Sequence, residues 1–195
     1  MKKGEMTMLK ILKLRIILID SNPKIWREVL IPIDNTFEDL HYVIQAVMDW
    51  GNYHLHEFPM NEKEYIGDEP PNPQSRIDRS YTDERKVELE ECLNQKGATI
   101  KYIYDFGDNW RHEIEVVDIL KKENSRQYPV CIDGENASPP EDVGGVSGYN
   151  RMVEAFSDEN HPDYERYKEW LGIEVYNAKR VNMDYINKKI KELVW

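Results

Sequence analysis

The chain has 195 residues, 40% apolar and 32% charged, and a formal charge of −11. That length suits one ordinary domain, residues 1–195, able to bury a core without a disulfide or metal, and 5 Trp with 12 Tyr argue against disorder. The acidic balance, with no Lys/Arg-rich stripe, disfavours nucleic acid and anionic membrane surfaces as partners.

Lys10, Lys13 and Arg15 interrupt the apolar start, so neither a signal peptide nor a membrane span is expected. Cys92 and Cys131 match no metal or redox spacing and read as free thiols, which suits a cytoplasmic protein. Leu12, Leu14, Ile16 and Leu18 alternate with Lys13 and Arg15, the pattern of a half-buried strand. After the turn cluster Asp20-Ser21-Asn22-Pro23, residues 25–33 alternate again, giving a hairpin. Thr36 is placed to cap a helix carrying Phe37, Leu40, Val43, Ile44, Val47 and Met48 at helical spacing, with Gly51 as its stop. An extended segment from His54 to Met60 follows. Hairpin, helix and strand in this order make a β-grasp-like N-terminal half.

Residues 59–85, centred on Pro70-Pro71-Asn72-Pro73, and residues 122–148 have the composition of long loops. Between them, residues 99–106 and 110–120 flank Gly107-Asp108-Asn109, a second hairpin. Pairing Phe106 with Trp110 puts Tyr102, Tyr104 and Phe106 on one face with Trp110, His112 and Ile114. It also sets Asp105 against Arg111 and Lys101 against Glu115. Residues 149–195 form a helical C-terminal part: Tyr149, Met152, Val153 and Phe156 mark one helix, and Tyr164, Tyr167, Trp170 and Leu171 a second, ending at Gly172. Met183, Ile186, Ile190 and Leu193 mark the third, capped by Asn182. Trp195 is placed to dock on the body or on a neighbour. The expected class is α+β, a mixed or antiparallel sheet with C-terminal helices.

Five strings carry a family resemblance: Pro23-x-x-Trp26-Arg27; Leu40-His41-x-x-Ile44-Gln45; Trp50-x-x-x-His54-Leu55-His56-x-Phe58; Tyr102-x-Tyr104-Asp105-Phe106-Gly107-Asp108-x-Trp110-x-His112; and Pro139-Pro140-Glu141-Asp142-x-Gly144-Gly145-x-x-Gly148-Tyr149. Together they resemble the plasmid pRiA4b ORF-3-like family over essentially the whole chain. The resemblance implies no particular reaction. Resolvase labels borne by some relatives are not carried over, because a serine resolvase needs a nucleophilic Ser, an arginine cluster and a DNA-binding module.

The candidate chemistry lies in histidines and carboxylates. His54 and His56, two apart on a strand, share a face and could bridge a divalent metal, with His112, Asp108, Glu141 or Asp142 completing the set. The competing reading, preferred here, places His54 and His56 in the core or at a sheet end and His112 in the core, each hydrogen-bonded locally. Asp108 suits a turn, and Glu141-Asp142-x-Gly144-Gly145 suits a rigid glycine turn better than an anion cradle. Walker, Rossmann and zincin signatures are absent, and no Ser or Cys sits in a nucleophile motif. The preferred function is therefore a non-catalytic protein-interaction or adaptor domain. A metal-dependent, hydrolase-like enzyme is the alternative, and nucleic-acid processing for a mobile element ranks third.

Overall fold

A computed structural model describes residues 9–67 and 79–193. Strands β1 (Lys10–Leu18) and β2 (Trp26–Pro32) form the first hairpin, followed by α1 (Phe37–Met48) and β3 (His56–Pro59). Next come β4 (Glu64–Gly67), β5 (Ser80–Asp83), β6 (Thr99–Tyr104), β7 (Trp110–Lys121) and β8 (Val130–Glu135). Helices α2 (Gly145–Ser157), α3 (Tyr164–Leu171) and α4 (Met183–Glu192) complete the chain. The strands form one mixed sheet in the order β5-β4-β3-β6-β7-β1-β2-β8. Every pairing is antiparallel except β4 with β5. The fold is α+β.

The sheet has two unlike faces. Pairing sets Leu14 opposite Val29 and Val116, and Ile16 opposite Ile114, so the apolar side chains of three strands stack on one side. The other side carries Lys13 and Arg15, both bonded to Glu28 at 2.7 and 2.5 Å. Helix α1 lies in the same core cluster as the apolar face, burying Phe37, Leu40, Val43, Ile44, Val47 and Met48. It starts at Thr36, whose hydroxyl accepts from the Asp39 amide while Asp39 accepts from the Thr36 amide. It stops two residues before Gly51, because Asp49 takes the left-handed conformation itself.

The two expected loops contain strands. Residues 59–85 hold the end of β3, all of β4 and β5, and a 3-10 turn at Glu84–Lys86. Residues 122–148 hold β8, the strand at the other sheet edge. Edge strands are short and half exposed, so they show neither an apolar run nor clean alternation. Pro70-Pro71-Asn72-Pro73 and Trp195 lie outside the described residues. A second 3-10 turn, Leu89–Glu91, follows, and Val87, Leu89 and Leu93 at and around it are buried in the core.

The second hairpin is displaced by two residues from the expected register. Tyr104 faces Trp110, Tyr102 faces His112 and Ile103 faces Arg111. The reason is Asp105, which leaves the strand at φ 54°, accepts the Gly107 amide on its carboxylate and the Asn109 amide on its carbonyl. The turn thus spans 105–109. A shift of two preserves face parity, so Tyr102, Tyr104, Trp110, His112 and Ile114 are all buried on one side. The charge pairs are not those expected: Arg111 bonds Asp20 at 3.0 Å, and Lys101 stands opposite Glu113.

Among the described residues, no helix is long and apolar enough to cross a membrane.

Candidate functional site

Residues 49–55, between α1 and β3, run across the end of the sheet where β6 and β7 turn. Trp50 anchors them: its ring stacks on Tyr104 at 5.0 Å and packs against Trp110 and His112, each at 5.5 Å. Its indole N–H donates to the Pro139 carbonyl at 3.0 Å. The Tyr104 hydroxyl then ties three segments together, accepting from the Tyr53 amide at 3.0 Å and donating to Glu141 Oε1 at 2.7 Å. The second oxygen of Glu141 accepts from the Gly51 amide at 2.7 Å.

Beside this knot lies a cleft of about 310 Å³ lined by His41, Tyr42, Asn52, Tyr53, His56 and Glu84, among others. Two imidazoles form its floor. The rings of His41 and His56 stack 3.5 Å apart, 7° from parallel. His41 Nδ1 lies 2.8 Å from the Tyr102 hydroxyl, its Nε2 lies 2.9 Å from Asn52 Oδ1, and Gln45 donates to the same hydroxyl at 3.0 Å. One tautomer satisfies all three contacts: Gln45 donates to Tyr102, Tyr102 to Nδ1, and Nε2–H to Asn52. Burial first, then the facing His56, holds the His41 pKa well below the usual histidine range, so His41 is neutral. His56 Nε2 bonds Glu84 at 2.7 Å.

The rim is aromatic and apolar. Tyr53 is 81% exposed, and Tyr42 and Leu55 are exposed beside it. Glu38 also lines the cleft, and its pKa is raised by burial and then by the Glu84 carboxylate. Among the described residues, the lining contains no Ser, Thr, Cys or Lys. Both free thiols are poor nucleophiles at neutral pH. Burial raises the Cys92 pKa and pushes that of Cys131 up to about 11.

The structure does not bring the three candidate metal histidines together. His112 is fully buried between Trp50 and Tyr102, with Nδ1 bonded to the Trp110 carbonyl at 3.2 Å. Burial drives its pKa down to about 3. His56 is committed to Glu84. Of the three, only His54 stands between two carboxylates: its Nε2 lies 3.7 Å from Asp105 Oδ2 and 3.6 Å from Asp142 Oδ1. These three residues could hold a metal, because their ligand atoms all fall within 4.8 Å of one another. Asp108 is spent on the Gly144 amide at 3.2 Å, and Glu141 on Tyr104 and Gly51. Gly145 serves the turn itself, since a Cβ there would stand 2.4 Å from the Asp108 carbonyl.

Sequence reasoning missed His41, Asn52 and Glu84 and set Asp105 aside. The signal for His41 was a histidine on the buried stripe of α1. Asp105 was assigned to Arg111, and Glu84 lay in a presumed loop.

Fold and site together define an α+β protein with a polar cleft at one end of a mixed sheet. A profile described as plasmid pRiA4b ORF-3-like protein matches residues 10–185, and the chain belongs to that family. It is 32% identical over 190 residues to the uncharacterized protein y4hQ of Sinorhizobium fredii (strain NBRC 101917 / NGR234), covering 94% of this chain and 92% of that one. It is also similar to the crystal structure of a protein of unknown function, MM3350 from Methanosarcina mazei Go1. That likeness has a TM-score of 0.78 at 36% identity and covers 91% of this chain and 98% of the other.

Proposed function

We propose that this chain is a single-domain, cytoplasmic, non-catalytic protein-recognition module whose binding surface is the His41/His56 cleft and its rim. The observation that carries this reading is Tyr53, 81% exposed at the mouth of a cleft whose polar floor is already hydrogen-bonded. Exposed Tyr beside an apolar neighbour such as Leu55 offers contact area at low entropic cost, as interface anchors do. A catalytic floor would present an uncommitted base beside a nucleophile. Here His41 spends both ring nitrogens on Tyr102 and Asn52, and His56 is paired with Glu84.

The partner chemistry follows from charge. The chain carries −11, and the Glu38 pKa is already raised by burial and its acidic neighbours. Arg85 lines the same cleft and already faces Glu38, and the acidic excess of the chain as a whole makes a basic protein segment the fitting occupant. The same balance disfavours nucleic acid, which supports the mobile-element reading least. The hydrolase-like reading loses support where His56 and His112 stand apart from His54.

A photo-crosslinking residue at position 53 tests the proposal in extract of the source cell. One defined adduct is expected, weakening with salt and lost on Leu55→Ala with unchanged thermal stability. The same adducts from a crosslinker at Val175, which is 79% exposed in the C-terminal region, would overturn it. So would turnover of small molecules by the purified chain.

A further inference from the structure

We infer that His54, Asp105 and Asp142 form a divalent transition-metal site that clasps three separate segments of the chain: the approach to β3, the end of β6 and the 137–144 loop. The donor set is one imidazole nitrogen and two carboxylate oxygens, which suits Zn²⁺ and its first-row neighbours better than Mg²⁺ or Ca²⁺. The inference does not rest on the recognition reading and goes beyond it, although His54 also lines that cleft.

Two independent observations point to a ligand. The first is spacing. His54 Nε2 stands 3.6 Å from Asp142 Oδ1 and 3.7 Å from Asp105 Oδ2. Both separations are too long for hydrogen bonds. They are close to the separation of about 3.4 Å between donors arranged tetrahedrally around an ion at about 2.0–2.1 Å. The second is Asp105. Its side chain is only 12% exposed, its Oδ1 accepts from the Gly107 amide, and its Oδ2 accepts no hydrogen bond among the described residues. No Lys or Arg of the described residues lies within 4 Å of either Asp105 or Asp142. A mostly buried carboxylate oxygen facing a second carboxylate and an imidazole is a setting that a bound cation stabilises.

The surroundings hold the donors in place. Tyr104 fixes Tyr53, one residue before His54, and Glu141, one residue before Asp142. Asp105 is held by its amide donating to the Leu55 carbonyl at 2.9 Å and by the turn it closes. Each ligand thus sits next to a hydrogen-bonded anchor, the outer support that metal sites need. Three protein donors leave a position for water.

Isothermal titration of the EDTA-treated full chain with ZnCl₂, paired with thermal unfolding, tests this. The expected result is one equivalent bound, a raised Tm, and at least a tenfold loss of affinity in His54→Ala, Asp105→Asn and Asp142→Asn. His161→Ala, outside the cluster, should bind as the parent does. Asp142 is exposed, its side chain at 74%, so Asp142→Asn is expected to fold whether or not Asp105→Asn does. Absence of Zn²⁺ binding by the parent, or unchanged affinity in Asp142→Asn or His54→Ala, would overturn the site. Tighter binding of Ca²⁺ than Zn²⁺ would equally overturn it. None of these outcomes bears on capture of a partner at Tyr53, so the two proposals fail separately.

Discussion

At the scale of single residues, burial decides charge. His112 lies fully inside the core, and its folded pKa is pushed down to about 3 from an unperturbed 6.5. Between those values the unfolded chain binds a proton that the folded chain refuses, so stability is lost as pH falls from about 6.5 toward 3. The ceiling on this contribution is roughly 5 kcal/mol, and His41 acts in the same direction. Denaturant titrations across that window should show the loss, and His112→Leu should flatten it. At pH 7 the same variant is expected to cost little, about 1 kcal/mol either way, because the lost bond to the Trp110 carbonyl is offset by removing Nε2, which has no partner among the described residues. Tyr104→Phe removes one hydroxyl and two hydrogen bonds, from Tyr53 and to Glu141. It should cost about 1–3 kcal/mol and speed amide exchange at Tyr53, whose N–H loses its acceptor.

At the scale of elements, one arginine joins strand, helix and loop. Arg27 on β2 is buried, and all five of its guanidinium N–H groups are used. They reach the carbonyls of Trp26, Val47, Glu135 and Asn136 and the Ser138 hydroxyl at 2.8–3.2 Å. Its charge is met by peptide dipoles, including the end of α1. Lysine has three donors and no planar fork, so Arg27→Lys should destabilise by about 2–4 kcal/mol in urea titration, leaving loop carbonyls unmet. Gly134 belongs to the same arrangement, since a Cβ there would stand 2.7 Å from Arg27 Cδ. The helix cap is a simpler case: Thr36→Ala should cost about 1 kcal/mol, read from the same titration.

At the scale of the whole molecule, one hydrophobic cluster runs from Leu12 on β1 through α1 and the sheet to Tyr167 on α3 and Ile190 on α4. Elements that share a core unfold together. Calorimetry should therefore show a single transition whose calorimetric and van't Hoff enthalpies agree, and two resolved transitions would show that the C-terminal helices form a separate unit.

What the sequence determined by itself was local and periodic. Alternation placed β1, β2 and the faces of β6 and β7, and helical spacing placed α1 and α2–α4 with the caps Thr36 and Asn182. Such signals are legible because each residue's choice between core and water repeats every 2 or 3.6 positions. Strands β4, β5 and β8 escaped: β5 and β8 are the sheet edges and half wet, β4 is four residues long, too short to show a period, and the pairing of each is written in another strand. The site escaped for the same reason. His54 and His56 are neighbours in sequence, yet one faces Asp105 and Asp142 while the other stacks on His41 and bonds Glu84. Only the tertiary structure decided those partners, because they arrive from segments dozens of residues away, brought in by a sheet whose strand order no local pattern encodes.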